Sequence, residues 1–145
     1  MSTLRSIQTV FMLALGFLVS LPAWPDLAVI VNSGYPVSSA DNDAIAKVFL
    51  SKANALSGGG TLIPVDQSDG SAVRKDFYSK LANKNPAQMN AYWSKLIFTG
   101  QGQPPKAVGG DADVANLVAN NPNMIGYVHS SAVRKGVKVI AKVPE

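Results

Sequence analysis

The segment Gln67–Ala72 holds the residues whose types and spacing are best suited to chemistry. Gly70 permits a close backbone approach and Ser71 supplies a hydroxyl group. The segment leads into a predicted helix, whose free first amides and dipole favour an anion, and Arg74 adds a cation one turn later. Asp69 or Ser71 could instead simply cap that helix. The sequence leaves both interpretations open.

The inventory of reactive residues argues against an enzyme. There is no cysteine, which excludes disulfides, a thiol nucleophile and thiolate-bound metals. His129 is the single histidine, and one histidine is a poor sign of a metal site. Asp66 and Asp69 could serve acid–base chemistry, although turn or cap roles are more typical of such residues. We therefore expect no catalytic residue, no metal and no cofactor.

The residues around the loop form alternating strands and helices. Leu27–Val31 is a continuous apolar run, typical of a strand that is buried on both faces of a parallel sheet. Ser38 or Ser39 is predicted to cap a helix that runs to about Leu50. A second strand is predicted over Thr61–Val65.

The rest of the chain continues the same alternation. Helices are predicted from Ser71 to about Leu81, from an Asn85 cap to about Ile97, and from an Asp111 cap to Ala119, with strands at Met124–Val128 and Gly136–Ala141. This order predicts an α/β fold with one doubly wound, largely parallel sheet.

In such a sheet, ligands bind beyond the carboxyl ends of the strands. Two predicted loops follow the first two strands, residues 32–39 and 66–71, and both lead into helices. The candidate ligand-binding residues are therefore Ser38, Ser39, Gln67, Asp69, Gly70, Ser71, Ala72 and Arg74.

Five segments together resemble the phosphate-binding component of phosphate ABC transporters, within the type 2 periplasmic binding proteins. They are Val29–Asn32, Ile45–Lys52, Pro64–Ser71, Tyr92–Trp93 with Ile97–Gly100, and Ile125–Val128. The family has an "IFxGK"-like helix end, a "DGSGT"-like loop and a "GAIGYV"-like strand in this order. The resemblance implies a binding-protein lobe that takes phosphate.

The departures from the family pattern concern its anion contacts. Gln67 stands where the family often has an arginine that pairs with phosphate, and a guanidinium is the stronger bidentate partner. Ala72 and Val73 replace a glycine and a threonine of the loop. Members of the family have two lobes, whereas this chain has room for about one.

The first residues resemble a secretory signal peptide. Arg5 precedes the apolar run Val10–Val19, which is too short to span a membrane, and Leu21–Ala23 offers a cleavage site. We expect a signal peptide over residues 1–23 and one domain over residues 24–145. An exported chain without a cysteine for lipid attachment favours the periplasm.

Composition limits the partners further. The chain has 13 lysines and arginines against 9 acids, and the lysines are scattered. Scattered cations suit small anions rather than nucleic acid, which favours a basic stripe with aromatics. We therefore expect a periplasmic protein that binds phosphate or a similar oxyanion, with transporter membrane subunits or another periplasmic protein as partner. The alternative is an interaction module that uses the lobe to dock a partner protein without a ligand.

Overall fold

The computed structural model describes Gly16 and residues 26–144. The predicted signal peptide therefore lies, apart from Gly16, outside the described residues. The elements are β1 (Asp26–Asn32), α1 (Asn42–Phe49), β2 (Ile63–Asp66), α2 (Ala72–Ala82), α3 (Pro86–Phe98), β3 (Lys106–Ala107), α4 (Asp111–Ala119), β4 (Met124–His129), a 3₁₀ turn (Ser130–Ala132) and β5 (Val137–Pro144).

The five strands form one sheet in the order β3-β2-β4-β1-β5. β2 is parallel to β3 and β4, whereas β1 is antiparallel to both of its neighbours, β4 and β5. Four of the five strands therefore point the same way. The predicted α/β fold with a largely parallel sheet is confirmed, with β1 as the reversed strand.

Hydrophobic cores cover both faces of the sheet, which explains why β1 is apolar throughout. Leu27, Val29 and Val31 face a core that they share with α1, α2 and α3. Ala28 and Ile30 face a second core, formed largely with α4. A strand with helices on both sides needs apolar residues at successive positions, so the run alone cannot reveal its direction.

The start of a helix is set by a nearby side chain that caps the amides of its first turn. Asn85 and Gln88 form the predicted capping box of α3. The predicted cap of α1 is wrong: Asp41, not Ser38 or Ser39, accepts the amide of Ala44. The preceding chain is held beside β5 by a hydrogen bond from the Ala40 amide to the Ile140 carbonyl, which delays the helix start.

Two further boundaries were predicted incorrectly. Gly110 precedes α4 as its cap residue, and Asp111 is the first residue of that helix. β2 begins at Ile63, because Thr61 bridges Ala55 and the Leu62 amide donates to Asn54. Ala55 and Asn54 lie earlier in the chain. The apolar run Thr61–Val65 alone therefore could not show that its first two residues lie outside β2.

Gly126 provides a test of packing between β4 and α4. A Cβ atom at this position would lie 2.5 Å from a methyl group of Val114 and 3.3 Å from one of Val65. We expect Gly126→Ala to lower the free energy of unfolding by about 1–3 kcal/mol, because β-branched neighbours yield little. Urea unfolding measures this, and Gly60→Ala is the control because its Cβ would meet open space. Equal losses in both variants would contradict the expectation.

Candidate functional site

The candidate site is the loop that joins β2 to the start of α2. The Ser68 amide donates to the Gly109 carbonyl, and the Ser71 amide donates to the Ser68 carbonyl. Gly70 has a φ of +86°, in the left-handed region that glycine adopts without strain. The loop therefore turns sharply and is tied to the segment before α4.

The Ser71 hydroxyl joins the helix start to the loop. It accepts the amide of Arg74 at 3.2 Å as the N-cap and donates to the Gln67 side-chain carbonyl at 2.9 Å. The capping interpretation is therefore confirmed for Ser71. Among the described residues, the amides of Ala72 and Val73 have no acceptor, which leaves two donors at the positive end of the helix.

Gln67 is buried, with an exposed fraction of 2%. Its side-chain amide nitrogen donates to Asp111 at 2.7 Å and to the Tyr127 carbonyl at 3.0 Å, while its oxygen accepts from Ser71. Every polar group of this side chain thus has a protein partner. Gln67 holds the loop from behind and does not line the cavities beside it.

Asp66 is the centre of the buried polar network. One carboxylate oxygen accepts from the Tyr127 hydroxyl and from the backbone amide of Gln67. The other accepts from the Tyr78 hydroxyl at 2.8 Å. Burial raises the pKa of both tyrosines above the usual value, and the Asp66 charge adds to the rise. Both phenols therefore remain protonated donors over the ordinary pH range.

Arg74 carries the positive charge of the site. Its Nε lies 3.3 Å from Asp66, its Nη1 lies 3.0 Å from Asp69, and the guanidinium packs over the ring of Tyr78. The Arg74 side chain is 14% exposed and Asp69 is 93% exposed. The buried carboxylate therefore fixes the guanidinium, whereas the exposed one can move away from it.

Two adjoining cavities border Arg74. One, of about 480 Å³, is lined by residues that include the loop from Asp69 to Ala72. The other, of about 350 Å³, is lined by residues that include Asp66 and Trp93. A larger cavity of about 620 Å³ lies on the α4 side of β2 and does not include the loop.

The structure brings together Asp69, Gly70, Ser71, Ala72 and Arg74 around one cavity. It does not bring Ser38 or Ser39 there. Because β1 runs against its neighbours, the loop of residues 32–39 leaves the opposite edge of the sheet from the loop of residues 66–71. Ser39 lines a separate cavity with Ser57, and the expectation that both loops share one edge is wrong.

Tyr78, Tyr127, Asn90 and Trp93 are parts of the site that sequence reasoning missed. The two tyrosines support Asp66, and the other two residues line the second cavity. Tyr78 and Trp93 lie at apolar positions of amphipathic helices. The sequence pattern therefore indicated packing in the core and gave no sign of a role in a polar site. Tyr127 contacts the loop because β4 lies beside β2 in the sheet. The sequence alone does not predict that strand order.

Within the described residues there is no cluster of histidine and carboxylate side chains that could hold a metal ion. His129 lies 3.7 Å from Asp111. Among the same residues, no helix is long and apolar enough to cross a bilayer.

No protein-family model matches the sequence, and no curated protein matches it significantly. Solved structures do match the fold. An ABC-type phosphate transport receptor from Vibrio cholerae has a TM-score of 0.64 at 19% identity, over 80% of this chain and 45% of the receptor. PstS from Borrelia burgdorferi has a TM-score of 0.62 at 14% identity, over 81% of this chain and 47% of PstS.

A third structure, from Clostridium perfringens, contains bound phosphate and is assigned to the phosphate ABC transporter substrate-binding proteins. It has a TM-score of 0.62 at 21% identity, over 80% of this chain and 44% of its own. The fold is therefore similar to one part, less than half, of each of these phosphate-binding and phosphate-transport proteins. The chain spans less than half of each of these proteins, so this likeness establishes the fold of the lobe and not its ligand. The resemblance seen in the sequence motifs is confirmed at this level.

Proposed function

We propose that this binding-protein lobe binds a small oxyanion, most simply phosphate, at the start of α2. The observation that carries the proposal is that Ala72, whose amide is unpaired, and Arg74 line the same cavity, while the unpaired amide of Val73 lies between them in the chain. Amides at a helix start and a guanidinium both favour oxyanions. Ser71 and Gln67 serve this site by holding the loop rather than by donating to the ligand.

The biological setting of the proposal is transport or sensing of phosphate in the periplasm. The structural neighbours are phosphate transport receptors and substrate-binding proteins, which supports this setting. The predicted signal peptide over residues 1–23 supports export. Membrane subunits of an ABC transporter, or another periplasmic protein, are the proposed partners.

Ala72→Pro tests the proposed anion site without dismantling the helix. Ala72 is the first residue of α2, where proline is favoured, and Ser71 before it has the extended backbone that proline requires. The substitution removes one free amide donor. We expect phosphate affinity to fall about 10-fold or more, since a hydrogen bond to a charged group contributes about 1.5–3 kcal/mol. Isothermal titration calorimetry of the domain measures this.

Asn42→Pro is the matched control, because Asn42 is the first residue of α1 and lies in a helix away from the loop. Both variants should keep the melting temperature of the parent. Equal phosphate affinity in the parent and in both variants would contradict a site at the start of α2. Absence of any phosphate binding by the parent at millimolar concentration would overturn the proposed function.

A second candidate function is protein docking through the lobe. Phe98 is 91% exposed and Ile97 is 56% exposed at the end of α3, which is unusual for large apolar side chains that stand side by side. The match covers only 44% and 45% of two of the structural neighbours.

Chemical cross-linking in a periplasmic extract tests the docking candidate. We expect Phe98→Asp to lose cross-linked species that Ile63→Asp keeps, because Ile63 is 45% exposed at a different part of the surface. Identical cross-linking in the parent and both variants would count against a docking role of Phe98.

A further inference from the structure

The two cavities beside Arg74 form one groove along α3. Both are lined by Asp69, Arg74 and Asn90, so they meet at the guanidinium. One ends at Pro86, the first residue of α3, and the other reaches Ile97 near its last turn. At a rise of 1.5 Å per residue, the groove follows the helix for about 16 Å.

The two ends of the groove differ in chemistry. The end near Pro86 is lined by Ala72, whose amide is free, and by Lys75. The other end is lined by Ile97 together with Pro104 and Pro105. A ligand that filled the groove would therefore carry an anionic group at one end and an apolar group at the other.

The volumes exceed what a tetrahedral oxyanion needs. Cavities of about 480 and 350 Å³ each lie within the range of pockets that hold small organic molecules, about 300–1,000 Å³. An inorganic ion would leave the Ile97 end filled only by water. The shape alone thus favours an organic ligand over a bare ion.

A free donor at the junction of the two cavities also indicates a ligand. Of the five guanidinium N–H groups, Asp66 and Asp69 engage Nε and Nη1, which leaves the Nη2 pair for a ligand oxygen.

Resting on the proposed oxyanion site, we propose that the preferred ligand is an organic phosphomonoester rather than inorganic phosphate. Its phosphoryl oxygens contact the amides of Ala72 and Val73 and the Arg74 guanidinium. Its organic group lies along α3 towards Ile97 and Pro105. Apolar contact at that end adds affinity that a bare ion cannot gain.

Calorimetric titrations with inorganic phosphate, methyl phosphate, 2-naphthyl phosphate and 2-naphthol test the proposal. We expect 2-naphthyl phosphate to bind at least about 10-fold more tightly than inorganic phosphate, a difference of about 1.4 kcal/mol. Methyl phosphate should resemble the inorganic ion, and 2-naphthol should bind weakly because it lacks the anion. Phosphate binding with no gain for the naphthyl ester would overturn this inference and leave the proposed function intact. Binding of 2-naphthol as tightly as its phosphate would also overturn it, and no binding of any anion would overturn both proposals.

Two variants locate the organic group. Ile97→Ser should reduce the advantage of the naphthyl ester to less than about 3-fold while phosphate affinity stays constant, because Ile97 lies away from the amides. Ile63→Ser is the matched control, since Ile63 is similarly exposed but lines the cavity on the α4 side of β2. Equal effects of the two variants, or an unchanged advantage in Ile97→Ser, would contradict the position assigned to the organic group.

Discussion

Asp66→Asn should lower the free energy of unfolding by about 3–5 kcal/mol, a large fraction of the stability of a domain of this size. The Asp66 side chain is 3% exposed and accepts from two tyrosine hydroxyls and from Arg74. An amide in its place loses the negative charge beside a largely buried guanidinium. It also turns one acceptor into a donor that faces a hydroxyl or amide donor. Urea unfolding monitored by circular dichroism measures the loss.

Asp43→Asn is the control for the charge change itself. Asp43 pairs with Lys47 on the surface of α1, where both side chains are well exposed and solvent screens the pair. We expect little change in the free energy of unfolding for this variant. A loss in Asp66→Asn no greater than in Asp43→Asn would show that the buried network does not stabilise the fold.

The two tyrosines that donate to Asp66 predict a steep loss of stability in alkali. The pKa of Tyr78 and the pKa of Tyr127 are both raised in the folded state by burial and by Asp66, while the unfolded chain titrates near pH 10. Below pH 10 both states keep these protons, so the stability contribution is complete. Above pH 10 the unfolded state ionises first, and stability falls by about 1.4 kcal/mol per pH unit for each tyrosine.

Unfolding free energies measured between pH 8 and pH 12 should therefore be flat up to about pH 10 and then decline by nearly 3 kcal/mol per pH unit. Absorbance of tyrosinate should show that Tyr78 and Tyr127 ionise only when the chain unfolds. Tyr78→Phe should roughly halve the slope. A slope that is the same in the parent and in Tyr78→Phe would contradict the role given to this phenol.

Features that depend on neighbours in sequence were predictable. The Asn85–Gln88 capping box and the Ser71 cap each need only a side chain and an amide three residues away. Helix α2, with Phe77 and Tyr78 on its inner face, follows from 3.6-residue periodicity in the same way. These parts of the fold, and the loop before α2, were visible in the sequence.

Features that depend on distant partners were not predictable. The direction of β1 is set by its pairing with β4 and β5, and that reversal moves Ser38 and Ser39 away from the loop before α2. Gln67 stands where an anion contact was expected, yet Asp111 and Tyr127 hold its side chain inward. Neither partner could be chosen from the sequence, because many polar groups were available to a glutamine.

The position of β1 in the sheet also has a kinetic consequence. Strand β1 lies between β4 and β5, so most of its backbone hydrogen bonds can form only with residues near the end of the domain. Long-range pairing of this kind slows folding, because the loop that joins the strands must close first. Until β4 and β5 have been synthesised, β1 has no neighbouring strand to pair with. We therefore expect the sheet to close around β1 only after the last strand has been synthesised.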